Sequence, residues 1–237
     1  MPGYLTSQLQ SSEALAAAAS QRQRLRDSYG HLLSDLQAGP LLEIGPGRGE
    51  LLEVLSRALP GNKRSEICAV DIDSEVASHI RKTHPDVTTV HQDPIQFIRG
   101  GDRQFAAVFM LHVLEHLKAD YAVNLLSEIR QHLRSGGLLV IEVPNTACSH
   151  VGTTIQSSDI THKVAYTSIS LKQVCTMAGF DNIEIAGIRP RGNSPARLAQ
   201  RTAIALLIQA DRLRHKIFLP SWRFLHEPTI YAVCRAI

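Results

Sequence analysis

Leu41-Leu42-Glu43-Ile44-Gly45-Pro46-Gly47-Arg48-Gly49-Glu50-Leu51-Leu52 runs from a short apolar strand, through glycine at every second position, into a helix-like segment. Glycines let the chain turn sharply and let a ligand approach the main chain, and the following helix start offers unpaired N–H groups. A dinucleotide loop requires G-x-G-x-x-G with a third glycine beneath a pyrophosphate. Here that place holds Glu50, whose carboxylate repels phosphate. A triphosphate-type loop is also excluded, because no Gly-Lys-Ser/Thr follows. Glu43, at the end of the strand, suits a cationic ligand.

Outward from this loop, apolar runs alternate with helix-like segments. Strands are expected at Leu41–Ile44, Ile67–Val70, Val87–Val90, Phe105–Met110 and Leu138–Val143. Helices are expected at Glu50–Leu59, Ser74–Thr83, Ala119–Leu133 and Ser168–Ala178. Strands that are apolar throughout and separated by helices predict an α/β fold, a parallel sheet covered on both faces. Two further strands, Phe180–Ile188 and Thr229–Ala236, are separated by about 40 residues, Arg189–Pro228, rather than by a simple crossover helix. Upstream, Ala14–Ser28 and Tyr29–Gln37 are rich in helix formers and stop at Ala38-Gly39-Pro40. The expected organisation is an N-terminal helical extension, 1–39, and one domain, 40–237, carrying a helical insertion at 189–228.

Composition narrows the function classes. The 237 residues are 44% hydrophobic and 20% charged, which excludes wholesale disorder. Apolar runs such as Ala14–Ala19 and Ala203–Ile208, six residues each, fall far short of the ~20 residues that cross a bilayer. The start, MPGYLTSQLQSSE, lacks a signal peptide's basic and apolar regions. A net charge of +3 argues against a dedicated nucleic-acid binder. Cys68, Cys148, Cys175 and Cys234 form no C-x-x-C pair and read as free thiols of a cytoplasmic protein.

The E-x-G-x-G-x-G pattern of Glu43, Gly45, Gly47 and Gly49 resembles motif I of the class I S-adenosylmethionine-dependent methyltransferases. Further matches follow in order: Ala69-Val70-Asp71-Ile72-Asp73 after the second strand and His91-Gln92-Asp93-Pro94-Ile95 after the third. The resemblance implies a Rossmann-like, seven-stranded, mostly parallel sheet with the last strand antiparallel. It also implies S-adenosyl-L-methionine as cofactor, held by Glu43, Gly45, Gly47, Gly49, Asp71, Ile72, Asp93, Pro94 and Leu111. Asp71 is the expected acceptor from the ribose hydroxyls and Asp93 from the adenine amino group, whereas Asp73 is expected to cap the next helix.

After the fourth strand comes Leu111-His112-Val113-Leu114-Glu115-His116-Leu117, where helical spacing would put His112, Glu115 and His116 on one face. H-x-x-E-H also spells an inverted zinc-protease motif, but a segment that follows a strand in this motif order does not fit hydrolysis. Three roles stay open: a metal site, acid–base or positioning work on the acceptor, and plain structural hydrogen bonding. In some related O-methyltransferases an E-x-x-E-H segment here binds a divalent ion, which would recruit His112, Glu115, His116 and His162. In metal-free relatives the histidines position the acceptor or take its proton, which would make His112, His116 and His162 catalytic.

The absence of an N/DPPY-type segment favours oxygen as the acceptor atom. LEIGPGRGELL, HVLEHL and GGLLVIEVPN, with Thr161-His162 before Tyr166-Thr167-Ser168, resemble methyltransferases of bacterial polysaccharide and lipid-linked glycan pathways. A sugar hydroxyl is therefore the expected acceptor, with a phenolic or quinone-precursor hydroxyl and an RNA ribose hydroxyl as alternatives. A non-catalytic cofactor-binding subunit is the rival from another class. Arg189–Pro228, with its basic turn and its Ala196–Lys216 helix, is expected on the acceptor side, where it would meet a glycan, the inner face of the membrane or a second copy of the chain.

Overall fold

The computed structural model describes residues 12–34, 36–58, 67–191 and 194–236, with side chains from Ala18 onward. The chain start, Leu59 at the end of an expected helix, and Gly192-Asn193 of the expected basic turn lie outside the described residues.

The chain alternates α1 (Ser12–Ser34), β1 (Leu41–Ile44), α2 (Glu50–Ala58), β2 (Ile67–Asp71), α3 (Ser74–Thr83), β3 (Thr88–His91), α4 (Pro94–Arg99) and β4 (Phe105–Leu111). A 3-10 turn, Leu114–His116, leads into α5 (Ala119–Gln131), β5 (Leu133–Pro144), α6 (Gly152–Ser158), α7 (Ser168–Met177), β6 (Asn182–Gly187), α8 (Pro195–Phe218) and β7 (Thr229–Arg235). The seven strands hydrogen-bond in the order β3-β2-β1-β4-β5-β7-β6. β1 pairs in parallel with β2 and β4, β2 pairs in parallel with β3, and β7 runs antiparallel to β6. This is the Rossmann-like sheet expected from the sequence, and β4, buried from Phe105 to Met110, shows the unbroken apolar run of a strand covered on both faces.

Two compact units make up the chain. The first comprises residues 1–110, 131–138 and 236–237, the second residues 111–130 and 139–235. In the first, α1 buries Leu25, Tyr29 and Leu32, lies against α2, and is tied there by Arg22 to Glu53 at 3.1 Å. The two expected N-terminal helical pieces form this single helix. In the second unit, the excursion between β6 and β7 closes on itself. The Ile188 N–H donates to the Thr229 carbonyl at 2.9 Å, and the buried Asn145 amide donates to the carbonyls of Leu225 and Glu227, each at 2.8 Å. Arg189 pairs with buried Glu227 at 2.6 Å.

Three local expectations differ from the structure. β5 begins at Leu133, not Leu138, because the Gly136-Gly137 backbone ahead of the expected strand pairs with Ala236 at 2.8 and 3.0 Å. Helix α4 was unforeseen although Asp93-Pro94 is a cap followed by proline at the first helical position; Asp93 accepts from the Gln96 N–H at 3.0 Å. His112, Glu115 and His116 do not share a helix face. His112 stands before the 3-10 turn with φ +55°, the one positive φ of a non-glycine residue among those described.

Candidate functional site

The first unit carries the glycine loop and the strand-end acids. Gly45, Gly47 and Gly49 have φ of +69°, +54° and +83°. The positions are not equivalent. A Cβ at Gly49 would stand 2.5 Å from the His84 ring and 3.0 Å from Ile80, so this glycine lets the loop pack on α3. A Cβ at Gly47 would meet nothing within 4 Å, so this glycine borders open space that a ligand can share. Glu43 is buried at the end of β1, and its Oε2 has no hydrogen-bond partner among the described residues. Burial, and then the charges of Glu50 and Asp71, push its pKa well up, the state of a carboxyl that a cationic ligand would relieve.

Asp71 ends β2, half-buried, and accepts the Asp73 N–H at 2.8 Å; burial raises its pKa. Asp73 caps α3 by accepting from the Glu75 N–H at 2.8 Å, in the role expected of it. Ile72 between them is exposed, an apolar surface next to the acid. Pro94 is buried and Leu111 half-buried.

The second unit carries the histidines, which fall into two groups. His112 lies between two buried carboxylates, with Nδ1 3.2 Å from Glu115 Oε1 and Nε2 2.8 Å from Glu142 Oε1. Burial alone lowers its pKa, but hydrogen bonds to Glu115 and Glu142 outweigh that and raise it to about 10. His112 is therefore an imidazolium at neutral pH, Nδ1 hydrogen-bonded to Glu115 and Nε2 ion-paired with Glu142, with no lone pair for a substrate proton. Its left-handed backbone is held by its own N–H, which donates to the Glu142 carbonyl at 2.9 Å.

His116 and His162 form the other group, with ring centroids 4.7 Å apart. The Thr161 hydroxyl donates to Asp159 at 2.6 Å, so its oxygen accepts the His116 Nδ1–H at 2.8 Å. The Nδ1–H of His162 donates to the Gln156 carbonyl at 3.0 Å. Both rings thus turn Nε2 outward from these bonds. Burial, with His162 nearby, lowers the pKa of His116 and keeps it neutral.

Glu115 is the hinge of the cluster. Its carbonyl accepts the N–H groups of Lys163 and Val164 at 2.8 and 3.1 Å, drawing the 159–164 loop onto the 3-10 turn. Its side chain is 1% exposed, and Oε2 has no hydrogen-bond partner among the described residues. One ligand atom each from Glu115, His116 and His162 lies within 4.8 Å of the others, a donor set suited to a divalent ion such as zinc, manganese or iron(II). Of the four ligands expected from sequence, the structure brings these three together and leaves His112 with its two carboxylates.

Sequence reasoning missed Glu142, Asp159 and Thr161, which orient the histidines. A glutamate inside the apolar run Leu138–Val143 was the available signal for Glu142. Tyr166 was also missed as a site residue. Buried near Glu115, its hydroxyl is pushed up to about 12, first by burial and then by that charge.

Comparison with known proteins agrees with this fold. Residues 18–185 match the family model described as "Methyltransferase domain". Among solved structures, a SAM-dependent methyltransferase from Archaeoglobus fulgidus superposes with a TM-score of 0.64 at 22% identity, covering 92% of this chain and 94% of that one. The N-methyltransferase NodS from Bradyrhizobium japonicum, in complex with S-adenosyl-L-homocysteine, gives 0.61 at 15% identity over 98% and 96%. Magnesium protoporphyrin IX methyltransferase from Synechocystis, with the same product bound, gives 0.57 at 14% identity over 92% and 84%. A search of curated protein sequences matches none. With more than half of its length covered by the family model, the chain belongs to the methyltransferase-domain family.

Proposed function

We propose that the protein is an S-adenosyl-L-methionine-dependent O-methyltransferase, and that its acceptor is a sugar hydroxyl of a bacterial polysaccharide or lipid-linked glycan. The observation that carries the oxygen acceptor is the outward Nε2 lone pair of His116, on a ring kept neutral by burial and oriented through Thr161 and Asp159. A hydroxyl must lose its proton as it attacks, and a neutral imidazole takes that proton near neutral pH.

The first unit fits the donor. Glu43, buried with an unpaired oxygen, would meet the ammonium of its amino-acid end, and the open space at Gly47 would admit it to the backbone. Asp71 would accept from the ribose hydroxyls, Ile72 and Ile95 would flank the adenine, and Asp93 would accept from its amino group. The donor supplies a methyl group already activated on a sulfonium, so the protein's task is alignment and removal of the acceptor proton. His116 accepts that proton at Nε2, His162 positions the hydroxyl, and His112, already protonated, fixes Glu115 rather than acting as a base.

A second reading has its own support. The unpartnered Oε2 of Glu115 beside two imidazole lone pairs fits a divalent ion, which would lower the hydroxyl's pKa in place of a base. Methyl-transfer assays against glycan, phenolic and RNA acceptors, each with and without a chelator, test both. Activity on a glycan hydroxyl that survives chelation supports the base. Chelator-sensitive activity supports the ion, and transfer confined to amines overturns the oxygen acceptor.

A further inference from the structure

Helix α8 has one face anchored and the other bare. Ile208 and Asp211 are its buried residues. Asp211 accepts from the Ser149 hydroxyl and from the Ser149 N–H at 3.3 Å, and His150 stands 3.6 Å away. These bonds lower the Asp211 pKa despite its burial, so the carboxylate is ionised and fixes the rotation of the helix. The side opposite carries positions 199, 203, 206, 210, 213 and 217, spaced alternately four and three apart and all Ala, Leu or Ile. On that face Leu206, Leu213 and Ile217 are 61 to 66% exposed, and Phe218 at the helix end and Trp222 just beyond it are 75 and 51% exposed, more apolar surface than a segment that meets only water carries.

Charge selects the partner. Residues 189–225 hold eight of the chain's 25 Lys and Arg but one of its 22 Asp and Glu, and that one is the inward-facing Asp211. The excursion is therefore strongly basic on a chain whose remainder is net acidic. A second copy of α8 would bring Arg and Lys against Arg and Lys with no exposed acid to meet them. Nucleic acid would match the charge but leave the leucines, Ile217 and Phe218 uncovered. A surface that is both anionic and apolar a few ångströms down satisfies both properties: cations stay at the phosphate level while Leu, Ile, Phe and Trp enter the acyl boundary.

We infer that α8 and the segment through Trp222 form an interfacial anchor that lays this face on an anionic lipid bilayer. The inference holds whatever the acceptor is, because it uses no residue of the proposed donor or histidine sites. No helix among the described residues is long and apolar enough to cross a membrane, so the contact is peripheral.

Co-sedimentation of the full chain with vesicles of phosphatidylcholine and phosphatidylglycerol at 7:3, against pure phosphatidylcholine, tests it. The protein should bind the anionic vesicles at least tenfold more tightly and be released by 0.5 M salt. Two triple variants, Leu206→Gln/Leu213→Gln/Ile217→Gln and Arg212→Gln/Arg214→Gln/Lys216→Gln, should each weaken that binding tenfold or more. Far-ultraviolet circular dichroism and S-adenosylhomocysteine affinity should stay unchanged in both, which separates lost lipid binding from lost folding. Equal binding by wild type and both variants overturns the anchor. So does absence of vesicle binding together with a dimer, seen by sedimentation, that the apolar triple variant dissociates; that result would assign the face to a second copy.

Discussion

The glycine loop and the histidine cluster solve the same problem, fixing polar groups for a ligand, by opposite means. In the loop the backbone does the fixing: three glycines at positive φ, with side chains reserved for two strand-end acids and a helix cap. In the cluster, side chains fix side chains: Asp159 orients Thr161, Thr161 orients His116, and Glu142 and Glu115 hold His112. Backbone-built sites leave a regular pattern in the sequence, whereas sites built by side-chain relays depend on residues far apart in the chain. The two should also fail differently when mutated.

The largest difference should come from His116→Ala. Removing a general base costs about 10²–10⁴-fold in kcat, while donor affinity, measured by calorimetry with S-adenosylhomocysteine, should stay within a fewfold. With the pKa of His116 lowered by burial, the wild-type rate should hold below pH 6.5, where an ordinary imidazole is already protonated, and fall only at more acid pH. A pH–rate profile of kcat unchanged by His116→Ala would move the chemistry elsewhere.

Asp71→Ala should show the reverse pattern. Losing two hydrogen bonds to a charged acceptor weakens donor binding by about 3–6 kcal/mol, read by calorimetry, with kcat recovered at saturating donor. A loss of kcat with binding intact would break the comparison.

His112→Gln tests structure rather than chemistry. It leaves two buried carboxylates without their cation, and breaking a fully buried pair costs about 3–5 kcal/mol. Because the His112 side chain is 42% exposed, solvent screening reduces the expected loss to about 2 kcal/mol by urea denaturation. The folded pKa is raised, so this stabilisation is complete below the unfolded value near 6.5 and disappears as pH rises through about 10. The variant's deficit should therefore shrink in alkaline denaturation curves.

The smallest effects are expected at the glycines: Gly49→Ala costs about 1–2 kcal/mol of stability for its left-handed φ, with the contact on His84 added to that. At Gly47 the neighbouring space is open, so Gly47→Ala should cost the backbone strain but no clash, and its added methyl should be felt in donor affinity instead. Equal stability and equal affinity in the two variants would erase the distinction between a packing glycine and a ligand glycine.

What could be read ahead of the structure follows the same division. β1, α3 and their loops lie where hydrophobic period and capping residues put them, because local rules govern them. The Gly136-Gly137 start of β5 is not visible in local pattern because its partner, Ala236, stands 99 residues beyond Gly137. Around the site, residue types at His112, Glu115, His116 and His162 were legible, but their grouping was not. A helix was assumed where a left-handed residue precedes a 3-10 turn, and that single backbone state sends His112 to Glu142 and His116 to Thr161. No spacing rule within the segment could have announced a carboxylate in β5 as the reason.

The closure of the β6–β7 excursion at Ile188 and Thr229 carries one more consequence. Everything between those residues leaves and returns through one hydrogen-bonded doorway, with Asn145 and Arg189 as its frame. Loop-closure entropy rises only with the logarithm of length, about 0.6 kcal/mol per doubling. The doorway therefore works as a socket: a helix longer, shorter or of different surface chemistry could be plugged into it while β6 and β7 keep their register. Diversification of such chains can proceed by exchanging the cassette, leaving the donor-facing loop untouched.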